Sequence, residues 1–231
     1  VGGFGMVLLT RHTRMRRTFA MKVVDKAILL RQKQVHLAFR EREVLALVSH
    51  PFIVAMHFAF TTDHFLCFVF EYCSCGNMYE DLVKGSYPHE RACYYAAMVV
   101  LAIEYIHRLD VLYRDLKPDN VLLMPDGTIR LADMGAARGI TDDGSIYGFE
   151  DSSTSAHRTS RSVADQRRMT ITGTHGYRAP EVYERDYGKA ADWWNVGLLI
   201  IEMLTTVNPL RGPDRKASEY KSKCKDVTIP G

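Results

Sequence analysis

The sequence predicts an α+β fold, with a strand-rich first third followed by a mainly helical remainder. Over residues 1–71, short apolar runs alternate with polar turns, a pattern that favours β-strands. From residue 78 onward, apolar residues recur at helical spacing in longer segments. Because the strands and helices are segregated along the chain, two lobes are predicted rather than an alternating parallel sheet.

The first lobe is predicted to contain four strands and one helix. The strands are expected over residues 6–9, 19–24, 52–60 and 65–71. The polar segment 11–17 is expected to join the first two strands, and residues 33–48 have helical spacing. The residues of this helix that we expect to be buried are Val35, Leu37, Phe39, Val44, Leu45 and Val48.

The second lobe is predicted to be mainly helical. Its helices are expected over residues 78–83, 89–109 and 191–205. Before the last of them, Asp126-Gly127 is a tight-turn signal, which predicts a hairpin that pairs residues 121–124 with residues 128–131. The chain shows no internal repeat.

Composition excludes several classes of protein. The 231 residues are 47% hydrophobic and 25% charged, which is enough to bury a sizeable core. A net charge of +3 gives no support for a nucleic-acid partner, and the longest apolar run, residues 96–103, is too short to span a membrane. The five cysteines form no disulfide or zinc pattern, which favours reduced thiols and a cytoplasmic location.

The most informative segment is VLYRDLKPDN, residues 111–120. It places an acid at Asp115, a cation at Lys117 and an amide at Asn120, and a second acid, Asp133, follows in the motif Asp-Met-Gly. Phosphoryl transfer to a hydroxyl needs a carboxylate that accepts the hydroxyl proton, and it needs oxygen ligands that hold magnesium. A chance Arg-Asp pair in a loop is common, but this whole pattern is not.

A glycine-rich segment and a lysine indicate where a nucleotide would bind. Gly2, Gly3 and Gly5 would let backbone amides approach phosphates, although a glycine-rich hairpin alone is often only a turn. Lys22 lies on the next predicted strand, placed to hold phosphate, and it needs a carboxylate to orient it. Glu41 in the predicted helix is our choice; Glu43 is the alternative, on another face of that helix.

These motifs resemble those of protein kinases. The strings Ala-Met-Lys at 20–22, Tyr-Arg-Asp at 113–115 and Ala-Pro-Glu at 179–181 are similar to those of the AGC group of serine/threonine kinases. Within that group, the strings at 51–54, 173–177 and 208–212 most resemble the G protein-coupled receptor kinase branch. The resemblance implies a two-lobed catalytic domain over residues 1–231, truncated at both ends, with a small lobe at 1–71 and a large lobe at 72–231.

The resemblance also implies roles for individual residues. Asp115 would be the catalytic base, and Lys117 would steady the transferring phosphate. Lys22 paired with Glu41 would anchor ATP, and two residues would ligate Mg²⁺, namely Asn120 and Asp133. Further ATP contacts are implied for the glycine loop, the adenine pocket and the hinge, at Gly2, Gly3, Phe4, Gly5, Val7, Ala20, Phe70, Glu71, Tyr72, Cys73, Asn77, Asp119 and Leu122.

The resemblance makes structural predictions as well. Phe70 would close the pocket behind adenine. Asp192 would bind the backbone of the catalytic loop, unless it is only a helix N-cap. A regulatory hydrophobic spine would contain Leu45, Met56, Tyr113 and Met134.

Three regions depart from the AGC pattern. Met134 replaces the usual Phe or Leu of the metal motif. Asn77 replaces a glutamate that binds substrate arginine, so a preference for arginine upstream of the acceptor is open, although Asp119 and Glu202 remain near the other basic subsites. Residues 140–168 are an insertion rich in Ser and Thr.

The insertion has two interpretations, an inert loop or a site of regulation. In the second, an upstream kinase would phosphorylate Thr170, and two arginines would receive its phosphate, Arg114 and Arg138. Thr174 is expected near Asp115 and Lys117, which favours serine or threonine as acceptor. Arg178 has no explanation, and we predict no later helix with an arginine partner for Glu181.

The predicted function is ATP- and Mg²⁺-dependent phosphorylation of protein Ser/Thr hydroxyls in the cytoplasm. Regions outside this chain would recruit the protein to membranes. The alternatives are a nucleotide-binding pseudokinase scaffold, which loss of Lys22, Asp115, Asn120 or Asp133 would favour, and a small-molecule phosphotransferase. The peptide-platform region 173–181 disfavours the second alternative.

Overall fold

A four-stranded antiparallel sheet forms the amino-terminal part of the chain. The computed structural model describes residues 5–33, 35–139 and 169–223. The sheet has the order β1-β2-β4-β3, and its strands are β1 Gly5–Arg11, β2 Thr18–Asp25, β3 Met56–Thr61 and β4 Phe65–Glu71. Lys22 lies in the middle of the sheet, opposite Val7 on one side and Phe68 on the other.

The third strand is shorter than predicted. We expected it over 52–60, but it begins only at Met56. Residues 52–54 instead contact the second lobe: Leu131 N donates to Phe52 O at 2.8 Å, and Val54 N donates to Leu131 O at 2.9 Å. The carbonyl of Phe52 and the amide of Val54 therefore bond to strand β7 (Ile129–Leu131) rather than to the sheet.

Two helices lie between β2 and β3 where one was predicted over 33–48. Helix α1, Lys26–Arg31, begins at Asp25, whose side chain accepts a hydrogen bond from Ala27 N at 2.7 Å. Helix α2 is Val35–Leu47.

The burial predicted for α2 is correct only in part. Val44 and Leu45 are buried and Val35 and Val48 are half-buried, but the prediction for Phe39 is wrong, because 40% of its surface is exposed. The buried stripe passes instead through Ala38, Glu41 and Leu45, which share one helix face. The side chain of Leu37 lies outside the described residues.

The rest of the described chain is mainly helical, so the predicted α+β class is confirmed. Two short antiparallel strand pairs, β5 with β8 and β6 with β7, flank residues 113–120. Their bounds are β5 Val111–Leu112, β6 Val121–Leu123, β7 Ile129–Leu131 and β8 Arg138–Gly139. The helices are α3 Met78–Leu82, α4 His89–Arg108, α5 Pro180–Glu184, α6 Ala190–Thr205 and α7 Arg215–Lys223.

One hydrophobic core connects the two parts of the chain. Helices α4 and α6 pack together around fully buried residues such as Ile103 and Leu199. The same core includes Leu45 of α2 and Met134, and Met56 packs against it. In the described part of the chain, no helix is both long and apolar enough to cross a membrane.

The prediction that no later helix carries an arginine partner for Glu181 stays a prediction, because the side chain of Arg215 lies outside the described residues. A helix, α7, does follow residue 205. It packs against α5, which contains Glu181, and Ser222 Oγ donates a hydrogen bond to the carbonyl of Arg178 at 2.7 Å. Its sequence is mostly polar, so it contains too few apolar residues for a helical spacing to be recognised from the sequence.

Candidate active site

Lys22, which is half-buried, forms an ion pair with the buried Glu41. Lys22 Nζ lies 2.5 Å from Glu41 Oε1 and 3.5 Å from Asp133 Oδ1. Strand β2 presents the lysine toward helix α2, and Glu41 belongs to the buried stripe of that helix, so the pair forms with Glu41 rather than Glu43. A cation is thereby held at the meeting point of the sheet, helix α2 and the Asp-Met-Gly motif.

Burial and charge act in opposite directions on this pair. Burial raises the pKa of the Glu41 carboxyl, and the adjacent Lys22 ammonium counteracts that rise. Burial also disfavours the charged form of Lys22, but the carboxylates of Glu41 and Asp133 outweigh it and raise the pKa of the ammonium. Lys22 therefore stays cationic at neutral pH and is suited to bind an anionic group such as phosphate.

The carboxylate of Asp115 is held at both oxygens. Thr174 Oγ1 donates to Oδ1 at 2.7 Å, while Lys117 Nζ and Asn120 Nδ2 lie 3.0 and 3.1 Å from Oδ2. Lys117 Nζ also donates to Thr174 Oγ1 at 2.6 Å, so these four residues form one network. These contacts fix the position of the carboxylate, a group able to act as a general base.

Asp192 holds the backbone that carries this network. It is 1% exposed, and it accepts hydrogen bonds from Tyr113 N at 2.9 Å and Arg114 N at 2.8 Å. His107 Nε2 lies 2.8 Å from the same carboxylate. Asp192 is therefore not merely a helix N-cap: the residue at the N-cap position of α6 is Lys189.

Arg114 adopts a left-handed backbone conformation, with φ of +68°. This conformation costs free energy for a residue other than glycine. The bonds that Asp192 makes to the backbone of residues 113 and 114 offset the cost, and they fix the direction in which the catalytic segment leaves β5.

Asn120 and Asp133 fit the requirements of a magnesium ion. Asp133 is 52% exposed on its side chain and has a left-handed φ of +56°, and Asn120 lies in the short 3₁₀ turn Pro118–Asn120. Asn120 uses its amide nitrogen on Asp115, which leaves the amide oxygen as a ligand. No group of three or more His, Cys, Asp or Glu capable of holding a metal occurs among the described residues, so phosphate oxygens and water would complete the coordination.

The residues predicted to contact adenine lie on strands β1, β2 and β6. Val7 is exposed, and Ala20 and Leu122 are half-buried, as residues lining an open cleft would be. Phe70 is half-buried and packs against the hydrophobic clusters on both sides of it. Gly2, Gly3 and Phe4 lie outside the described residues, and Gly5 begins β1.

The predicted hinge, residues 71–73, begins at Glu71, the last residue of β4. Glu71 Oε1 accepts a hydrogen bond from Ala55 N at 2.8 Å and lies 3.3 Å from Arg130 Nε, which anchors this segment to both lobes. Tyr72 is 42% exposed. Burial and the nearby Glu71 carboxylate raise the pKa of the Cys73 thiol to about 12, so this thiol stays protonated.

Asn77 and Asp119 are two further residues that were predicted to contact ATP. Asn77 Oδ1 accepts a hydrogen bond from Glu80 N at 2.9 Å, which caps α3, and Asn77 forms an isolated β-bridge with Leu122. Asp119 is exposed. The side chain of Asn77 thus has a structural role beside any contact with ATP.

Glu202 lies in a cavity of about 460 Å³, with Tyr79 and Arg211 in its wall. It is buried and accepts a hydrogen bond from Tyr177 OH at 2.6 Å. Burial raises the pKa of Glu202, although Tyr177 and Arg211 counteract this. The carboxylate is therefore already engaged by a neutral donor and lies near a cation.

Thr170 is exposed and lies beside Arg114. Arg114 Nη1 is 3.5 Å from Thr170 Oγ1 and 3.2 Å from Tyr187 OH, and its Nε donates to Ala136 O at 2.6 Å. Arg138 lies on β8 and is paired with Leu112 in register. The insertion, residues 140–168, lies outside the described residues.

Sequence reasoning missed several residues that support this site. His107 and Tyr177, which bind Asp192 and Glu202, were not predicted, and Tyr113 OH donates to the carbonyl of Ala132. Each acts across a long sequence separation, so no local motif announces it. The one sequence signal for His107 is its position on the otherwise mostly apolar face of helix α4.

Gly173 is predicted to be intolerant of a side chain. Its φ is +85°, and a Cβ there would lie 2.5 Å from the carbonyl oxygen of Arg114. We expect Gly173→Ala to destabilise the fold by about 1–3 kcal/mol through backbone strain alone and to displace Thr174 from Asp115. Thermal unfolding and catalytic rate would measure the two effects.

Gly127→Ala is the matched control for this variant. Gly127 has a similar φ of +81°, but no atom lies within 4 Å of its Cβ position. It should therefore lose stability through strain and keep its activity. Equal losses of activity in the two variants would contradict the role assigned to the contact with Arg114.

Comparison with known proteins agrees with this geometry. Residues 1–229 match the family described as "Protein kinase domain". The chain is 39% identical to "Protein kinase 3" of Dictyostelium discoideum over 96% of this chain. It is 35% identical to "Serine/threonine-protein kinase nrc-2" of Neurospora crassa over 99% of the chain, and 35% identical to human "RAC-beta serine/threonine-protein kinase" over 93%. The chain therefore belongs to the protein kinase domain family.

The chain matches only part of each relative. It covers 23% of the length of the Dictyostelium protein, 38% of the Neurospora protein and 41% of the human protein. The shared part is the kinase domain, so what the remaining parts of those proteins do is not carried over.

Proposed function

We propose that this chain is the catalytic part of a serine/threonine protein kinase, which transfers the γ-phosphate of ATP to protein hydroxyls. The observation that carries the proposal is the network in which Lys117, Asn120 and Thr174 hold the carboxylate of Asp115. Phosphoryl transfer depends mainly on positioning and on neutralising charge, and this network does both.

In this proposal each charged residue has one role. Asp115 accepts the proton of the substrate hydroxyl, and Lys117 steadies the transferring phosphate. Lys22, oriented by Glu41, binds the phosphates of ATP on the side of the small lobe. Magnesium, when bound by Asn120 and Asp133, supplies positive charge that offsets the charge of the phosphates.

The cleft between residues 1–71 and 72–231 would hold the nucleotide. Val7, Ala20 and Leu122 would contact the adenine ring, and backbone groups of residues 71–73 would bind its edge. The half-buried position of Phe70 supports a closed pocket behind adenine. The pKa of Cys73 near 12 makes it an unreactive member of this hinge.

We assign the chain to the AGC group, with behaviour like that of receptor kinases. Similarity to the human RAC-beta kinase and to the "cAMP-dependent protein kinase catalytic subunit" of Dictyostelium discoideum supports the group. The capping role of Asn77 and the engagement of Glu202 by Tyr177 support a weak preference for upstream arginine. A cytoplasmic location, with recruitment to membranes through regions outside this chain, belongs to the same proposal.

Regulation at Thr170 depends on whether activity requires its phosphorylation by an upstream kinase. Arg114 is already held by Ala136 and Tyr187, and its contact with Thr170 is long at 3.5 Å. We therefore expect Thr170→Ala to keep its catalytic rate within about threefold, because exposed contacts of this kind contribute little. Steady-state rates measure this; a loss of about tenfold or more would assign an activating phosphate to Thr170.

The test of the proposed function is phosphate transfer from radiolabelled ATP to a degenerate peptide array. We expect magnesium-dependent labelling of Ser and Thr peptides, none of Tyr peptides, and little dependence on arginine upstream. Magnesium-dependent ATP binding without transfer to any peptide would instead favour a nucleotide-switched scaffold.

A further inference from the structure

Arg178 binds the backbone of the segment that precedes Thr174. Its Nε donates to Thr172 O and Gly173 O at 2.9 Å, and its Nη2 donates to Gly173 O at 2.5 Å. Its Nη1 lies 3.1 Å from His175 Nδ1. One half-buried guanidinium thus connects the two carbonyls before Thr174 with the side chain after it.

Thr174, whose neighbours Arg178 contacts on both sides, belongs to the network around Asp115. Thr174 Oγ1 donates to Asp115 Oδ1 and accepts from Lys117 Nζ, both within 2.7 Å. Gly173, beside it, packs so closely on the carbonyl of Arg114 that no side chain fits. A small rotation of the 172–174 backbone would therefore move Thr174 away from Asp115.

The backbone of Arg178 is bound by helix α7. Its own carbonyl accepts the hydroxyl of Ser222, which is 1% exposed on helix α7. On the same helix, Ser218 Oγ accepts a hydrogen bond from Gly212 N at 2.9 Å. Both ends of Arg178 are fixed, the backbone by α7 and the guanidinium by residues 172–175, so the residue can transmit the position of that helix to Thr174.

We propose that Arg178 is a positioning residue for phosphoryl transfer, which holds Thr174 in place to bind Asp115 and Lys117. The inference rests on the proposed function. A guanidinium suits this role because it presents several N–H donors in a rigid planar fork, whereas a lysine ammonium is a single flexible point of charge.

Kinetics of the full chain test the inference, with Arg178→Met and Arg178→Lys compared in wild-type and Thr174→Val backgrounds. In the wild-type background both should lower kcat by about 10- to 100-fold, because catalysis is sensitive to small displacements. The KM for ATP should not change, because Lys22 and Glu41 are untouched. In the Thr174→Val background, Arg178→Met should lower kcat little further.

Arg108→Met is the matched control, because among the described residues the side chain of Arg108 pairs only with Glu104, in an exposed ion pair on helix α4. It should retain wild-type kinetics. The inference is overturned if Arg178→Met keeps the wild-type kcat, or if it loses the same factor in both Thr174 backgrounds, as general destabilisation would cause.

Hydrogen exchange separates this inference from the proposed function. Arg178→Met should raise the exchange of backbone amides in residues 172–176, whatever the activity of the chain. Unchanged exchange would overturn the inference. If exchange rises while the wild-type chain transfers no phosphate, the proposed function fails, and with it the catalytic role of Arg178.

Discussion

Asp115→Asn is expected to lower the rate of phosphoryl transfer by about 100- to 10,000-fold, the usual contribution of a positioned general base. Asparagine has nearly the same shape, so Lys117 and Thr174 can still contact it, but its amide cannot accept the hydroxyl proton at neutral pH. Nucleotide affinity should not change, because Lys22 and Glu41 are remote from the substitution. Single-turnover kinetics and a nucleotide-binding titration would measure the two quantities.

Asp110→Asn provides the control for this substitution. Asp110 forms a surface ion pair with Lys189 at 2.7 Å and makes no contact with the catalytic network. The same chemical change there should leave the rate unaltered. An Asp115→Asn enzyme that retains most of its activity would show that a different group accepts the proton.

Asp192→Ala is expected to lower the free energy of unfolding by about 3–5 kcal/mol, the range for breaking a buried, hydrogen-bonded charged group. The substitution would leave three buried donors without a partner: the backbone amides of Tyr113 and Arg114 and the ring of His107. The left-handed backbone of Arg114 would also lose its support. Urea denaturation followed by circular dichroism would measure the change.

Asp192→Asn separates the hydrogen bonds from the charge. Its amide oxygen can still accept from one backbone amide, but its NH₂ group would face a second donor, so we expect a smaller loss than for alanine. A loss below about 1 kcal/mol for Asp192→Ala, the contribution of one ordinary hydrogen bond, would contradict the role given to this residue.

Much of the site could be predicted because its chemistry is encoded locally. Asp115, Lys117 and Asn120 lie within six residues, so their mutual geometry depends on one loop. The ion pair of Lys22 and Glu41 required only that a strand and the next helix pack together, and helical spacing decided between Glu41 and Glu43.

The rest could not be predicted, because it depends on distant contacts. Residues 52–54 read as strand by composition, but β7 takes their hydrogen bonds. Phe39 is apolar but lies one position from the buried stripe of α2. Helix α7 is polar and is held by serine hydroxyls rather than by an apolar face, so Arg178 remained without explanation until its partners were known.

Transfer of phosphate to Ser and Thr hydroxyls is best tested by a single-turnover assay that follows the γ-phosphate of ATP with Ser, Thr and Tyr acceptor peptides, with and without magnesium. We expect the wild type to form phosphoserine and phosphothreonine in a magnesium-dependent way and to form no phosphotyrosine. Asp115→Asn should form almost none of these products. Phosphate transfer that is equal in wild type and Asp115→Asn, or no transfer despite nucleotide binding, would contradict it.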